Sequence, residues 1–169
     1  MGAPQGLLGL SVTRTLEVCR TLMIERITHG TTLLAIIVSD CFREPGIHFF
    51  TEGDLSQQLA FMRHPTGKVI APHVHNPVPR EVHFTQEVLF IKRGRLRVDF
   101  FDEARRYLES RILEAGDTIM LVSGGHGFEV LEEIEMIEVK QGPYAGDADK
   151  TVFSPSDPVS FRFGSNGCK

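Results

Sequence analysis

The chain has no long apolar run. Its longest, Leu33 to Val38, has six residues, against the roughly 20 that a membrane-spanning helix needs. No membrane span is therefore expected. Met1 to Leu10 lack a basic start and a long apolar stretch, so no secretory signal is expected either. Gly2 stands where a myristoyl chain would attach, but Gly6 occupies the place of the required Ser or Thr. Asn76 and Asn166 both fail the glycosylation pattern. Cysteine is scarce: Cys19, Cys41 and Cys168 are far apart and form no CxxC pair. Reduced thiols and a cytoplasmic location are the expectation. Basic residues are scattered and the net charge is -4, which gives no pull towards nucleic acid or an anionic membrane.

What remains is an ordinary globular composition, 41% apolar and 24% charged over 169 residues. That length fits one domain with tails. We read residues 1–30 as an N-terminal arm or dimerisation segment, 31–141 as the domain, and 142–169 as a tail rich in Gly, Pro, Asp and Ser. Within the arm, Thr15 to Ile27 fits either a helix stripe or a strand. Thr28-His29-Gly30 ends it.

From residue 31 the chain reads as short β-strands between turns. Thr31–Ser39, Ile47–Thr51, Gln58–His64 and Lys68–His75 come first. Thr85–Lys92 follows. Leu96, Val98 and Phe100 then alternate with Arg97, Asp99 and Phe101, as on a half-buried strand. Tyr107–Leu113, Thr118–Val122, Phe128–Leu131 and Ile134–Lys140 complete the set. With no long helix, this pattern predicts an all-β barrel or jelly roll. Phe90, Phe100, Phe128 and Met136 are expected in its core. Glu129, Glu132, Glu133 and Glu135 are expected on a solvated hairpin.

The chemistry centres on His73-Val74-His75. On a strand, side chains alternate with period two, so both rings face one way. Imidazole is a common metal ligand. A further carboxylate, Glu87, and a third imidazole, His126, lie downstream. Three imidazoles and one carboxylate suit a divalent transition metal: Fe(II), Mn(II), Ni(II), Co(II) or Zn(II).

The spacing of these residues resembles the cupins, a superfamily of small β-barrels that includes many metal-dependent enzymes. Gly67 is followed by five residues and His73-Val74-His75. Glu87 is followed by six residues and Gly94. Gly116 is followed by five residues and Val122-Ser123-Gly124-Gly125-His126. The resemblance covers residues 58–141. It implies a single-domain cupin jelly roll with His73, His75, Glu87 and His126 as the metal set. Two departures stand out. Eleven residues separate His75 from Glu87, a longer gap than the family pattern, and Glu81 and His83 inside it compete with Glu87. In the second motif Val122 replaces Pro, and the turn before His126 is one residue shorter.

Other residues extend the expected site. His83 and Tyr144 are candidate acid/base groups at the cavity mouth; a loop histidine and a packing tyrosine are the competing readings. Arg80 and Lys92 are candidates for holding an anionic substrate through charge-assisted hydrogen bonds. His29, His48 and His64 have no partner in view. The resemblance implies an enzyme acting on a small polar molecule by dioxygenase-type or isomerase/epimerase-type chemistry. The other class open to this sequence is a non-catalytic metal or small-molecule binding module. Small barrels cover exposed sheet edges by pairing, so a homodimer is expected, with the N-terminal segment adding a strand to its neighbour.

Overall fold

A computed structural model describes residues 23–155 and 163–164. The described chain is almost wholly β. Its strands are β1 (Ile24–His29), β2 (Thr32–Val38), β3 (Gly46–Phe49), β4 (Ala60–Arg63), β5 (Glu87–Phe101), β6 (Tyr107–Glu114), β7 (Thr118–Leu121), β8 (Gly125–Lys140) and β9 (Phe163–Gly164). A single turn of 3₁₀ helix, Gly146–Asp149, follows β8. Cys41 is a free thiol; Cys19 and Cys168 lie outside the described residues. No described helix is long and apolar enough to cross a membrane.

Seven strands form one curled sheet, a half-barrel, in the order β1-β2-β7-β5-β6-β9, with β8 also on β5. The long strand β5 organises it. One edge of β5 pairs with β8 along its whole length. The other edge pairs first with β7, over Glu87–Phe90, and later with β6, over Arg95–Phe101. The change of partner needs a bend, and the β5–β8 ladder slips in register between Ile91 and Leu96. Gly94 sits at that bend with φ of 87°, and a Cβ there would overlap the backbone carbonyl of Glu133. Only glycine tolerates both demands.

The sheet has two cores, which explains its strand sequences. Inside the curl lie Ile27, Ala35, Ile37, Leu89, Ile91, Leu96, Val98, Phe100, Leu113, Ile119 and Leu121. On the other face, the β3–β4 hairpin and its flanks bring Phe42, Phe50 and Leu59 onto Ile36, Val38, Val88 and Met120. Strand β2 is covered on both faces, so residues 34–38 are all buried, and it reads as a continuous apolar run. The later half of β5 alternates as expected: Leu96, Val98 and Phe100 face the inner core. On the opposite face Asp99 is also buried, held by Arg97 and Ser110.

Four expectations are revised. The sheet begins at Ile24, inside the stretch read as an arm, because Ile24–His29 pairs with β2. The tail is not wholly irregular, since it contributes the 3₁₀ turn and β9, which runs parallel to β6. Phe100 is buried, but Phe90, Phe128 and Met136 are exposed. Phe128 and Met136 stand on β8, which has β5 on one edge and no described strand on the other. Most important, the strand expected at Lys68–His75 does not form. Residues 64–86 have no regular structure, and residues 65–85 are exposed without exception. Prolines 72, 77 and 79 remove ladder donors there, and no described strand lies alongside to pair with it.

Candidate functional site

Two of the expected ligands meet. Glu87 opens β5, beside Leu121 at the end of β7. The chain then turns through Val122-Ser123-Gly124 and starts back as β8 at Gly125. The turn is pinned: Val122 N–H donates to the Leu34 carbonyl at 2.8 Å, and the Ser123 hydroxyl donates to the Leu33 carbonyl at 2.7 Å. Gly124 takes φ of 71°, so this turn works without the proline of the family pattern. The reversal lays His126 over Glu87, with Nε2 3.3 Å from Oε2. Cross-strand pairs share a face, so His126, opposite Phe100, points to the inner side of the curl. Glu87 is on that side too, in line with Leu89 and Ile91.

A lysine completes this cluster. Lys140 ends β8 directly opposite Glu87. Its Nζ is 3.4 Å from Glu87 Oε1 and 2.7 Å from Asp149 Oδ2. Asp149, on the 3₁₀ turn, has a nearly buried side chain and accepts a hydrogen bond from the Thr85 hydroxyl at 3.4 Å. The Glu87 carboxyl lies below its ordinary value, first through the hydrogen bond with His126, opposed by burial and aided by Lys140. Lys140 lies above its ordinary value, chiefly through its hydrogen bond to Asp149 and then Glu87, with burial opposing.

The other expected residues lie elsewhere. His73 and His75 are on the exposed 64–86 segment, with ring centroids 5.2 Å apart. Their one-residue spacing therefore keeps them together without a strand. His73 Nδ1 is 3.0 Å from the Ala71 carbonyl. Among the described residues, no group of three or more His, Cys, Asp or Glu stands close enough to hold a metal ion. Glu81 and His83, the competitors of Glu87, approach each other at 3.8 Å on the exposed surface. Arg80 and Tyr144 are exposed. Lys92 pairs with Glu135 at 3.9 Å on the sheet surface.

Sequence reasoning missed Lys140 and Asp149. Lys140 closes a strand of mixed apolar and acidic residues and carries no motif, and only the β5–β8 register shows that it faces Glu87. Asp149 lies in the segment read as tail, so nothing in its neighbourhood pointed to the site.

Comparison with family models, with curated proteins and with solved structures gives no significant match.

Proposed function

We propose that the chain is a metal-dependent enzyme of cupin type, acting on a small polar molecule at a centre made of His73, His75, Glu87 and His126. The observation that carries this reading is the 3.3 Å approach of His126 to Glu87. These two residues come from separate motifs, 39 positions apart in sequence, yet one turn lays them together on the inner face of a curled sheet. The donor types suit a divalent transition metal, but as placed only Glu87 and His126 converge, and His73 and His75 stand together on residues 64–86.

In this reading residues 64–86 fold across the open side of the half-barrel and complete a jelly roll. Two uncovered apolar surfaces favour that closure. The segment exposes Val69, Ile70, Val74, Val78, Val82 and Phe84, while β8 exposes Phe128, Val130 and Met136. Phe128 and Val130 share the inner face with Val98 and Leu96. Closure buries both sets and carries His73 and His75 to the Glu87–His126 pair.

When bound, the metal would polarise a substrate oxygen or acidify water, or bind dioxygen if it is iron. Its identity therefore decides between dioxygenase-type and isomerase/epimerase-type chemistry. Glu87 and His126 would hold the metal together with His73 and His75 of the segment. His83 and Tyr144 remain the proposed proton-transfer groups, and Arg80 and Lys92 the proposed contacts to a charged substrate. A homodimer is proposed as well, and a monomer mass on gel filtration would remove it.

The test is metal content by mass spectrometry, on protein purified without chelator or affinity tag. One metal per chain is expected in the wild type, with most of it lost from the His73→Ala, His75→Ala double variant. A wild type that holds no metal and takes up none on reconstitution would overturn the reading.

A further inference from the structure

The β3–β4 hairpin has one covered face and one bare face. His48 and Phe61 turn inward and meet the Phe42 ring edge-on, at centroid distances of 5.3 and 5.1 Å. Strand side chains alternate, so the neighbours of these residues turn outward. Ile47, Phe49 and Met62 stand on that outer face, 51%, 63% and 55% exposed. Ile47 and Met62 are direct cross-strand partners, and Phe49 is two residues along from Ile47. The three therefore form one apolar patch. A two-stranded sheet is marginal by itself, and a contiguous apolar patch on it points to an occupant.

Residues 1–22 precede the described chain, and the place where they join it is informative. Met23 and Ile24 pack against the outer core, in the same cluster as Phe42, Phe50 and Phe61. The Met23 carbonyl accepts a 2.9 Å bond from the Ser39 backbone N–H, and Arg26 Nη2 donates to the Phe50 carbonyl at 2.6 Å. The preceding residues thus enter at the rim of the hairpin. Their sequence suits the patch. Leu8, Leu10, Val12, Leu16 and Val18 recur at even positions, with Gly9, Ser11, Thr13, Thr15 and Glu17 between them. Arg14 alone interrupts the stripe. Such period-two spacing gives an extended chain one apolar side. Each hairpin strand has four residues, or about 13 Å at 3.3 Å per residue, so the stretch from Leu8 to Val18 is long enough to cross it. A second copy fits less well, because three side chains fall well short of the roughly 800 Å² per partner of a stable interface.

We propose that residues 8–18 lie across the outer face of the β3–β4 hairpin of their own chain and bury Ile47, Phe49 and Met62. The inference does not depend on the metal-centre reading. It keeps within one chain a segment expected, from the sequence, to add a strand to a neighbour.

The test uses the full chain with Phe49 replaced by the photo-crosslinker p-benzoylphenylalanine, prepared as an equal mixture of ordinary and isotope-labelled protein. After irradiation, peptide mass spectrometry should find position 49 joined to residues 8–18, both partners carrying the same isotope. Leu16→Asp with Val18→Asp should cut the yield several-fold, while Thr13→Asp with Thr15→Asp, on the other side of the stripe, should leave it unchanged. Oxidation of Met62 by hydrogen peroxide, in chains that keep Phe49, is the second readout. It should run several-fold faster in the Leu16→Asp, Val18→Asp variant than in wild type. Products of mixed isotope would overturn the inference and make the face an interface between two copies. Joining to any other stretch, or equal Met62 oxidation in wild type and variant, would overturn it as well.

Discussion

A methyl group at position 94 has no room. Gly94 has φ of 87° and lies against the Glu133 backbone at the bend of β5. Gly94→Ala therefore meets backbone strain and a clash with main chain rather than with a side chain that could move. It should cost about 2–4 kcal/mol, read from the urea midpoint. Gly53→Ala is the control: φ there is not positive and the space is open, so its midpoint should hardly move. A second residue sets a pH dependence. Asp102 is buried and accepts a 2.9 Å bond from the Arg106 backbone N–H and a 2.8 Å bond from the Arg106 side chain. These hold its carboxyl below the ordinary value, the backbone bond contributing most. A depressed carboxyl stabilises the fold above its unfolded value of about 3.9, and that stability is lost as pH falls through the lower folded value. Asp102→Asn should flatten the acid side of the stability profile. An unchanged slope below about pH 4 would refute the assignment.

Among the elements, β5 and β8 carry both the architecture and the site. On β5 the inner face is finished: Leu96 is fully buried, and Leu96→Ala should cost about 2–5 kcal/mol by leaving a cavity. On β8 the same face is open, and Phe128, opposite Val98, remains exposed. Phe128→Ala should cost under about 1 kcal/mol in metal-free protein. Its cost should rise once metal is bound, if residues 64–86 then cover it. Thermal denaturation with and without metal measures both. The strands legible in the sequence were those that find partners. Leu96-Val98-Phe100 alternates because one face is core, and Leu33–Val38 is continuous because both faces are. Lys68–His75 has strand-like residues too, but a strand also needs a neighbour, and the sequence of one segment cannot supply it. Glu87 and His126 stood out because the glycine spacing around each resembles a known pattern, with one residue fewer before His126, and the structure brings the two side chains to 3.3 Å. Lys140 did not, because its place opposite Glu87 depends on a cross-strand register that shifts three times along β5.

At the scale of the molecule, the structure is a barrel with one side open and a segment that could close it. The curled sheet buries its inner core under β1, β2, β5, β6 and β7, while on β8 Phe128 and Val130 share that inner face and stay exposed. Residues 64–86 carry six exposed apolar side chains and the histidine pair. Under the proposed function, one event would join these features: metal bound at Glu87 and His126 would draw His73 and His75 in, and the segment would close over β8. Amide hydrogen exchange on the whole chain, with and without Zn(II), tests this most directly. Residues 64–86 should exchange quickly without metal. They should become protected together with β8 when metal is added, and Glu87→Gln should abolish the change. Metal that leaves exchange in 64–86 unaltered, or protects it equally in Glu87→Gln, would contradict the account.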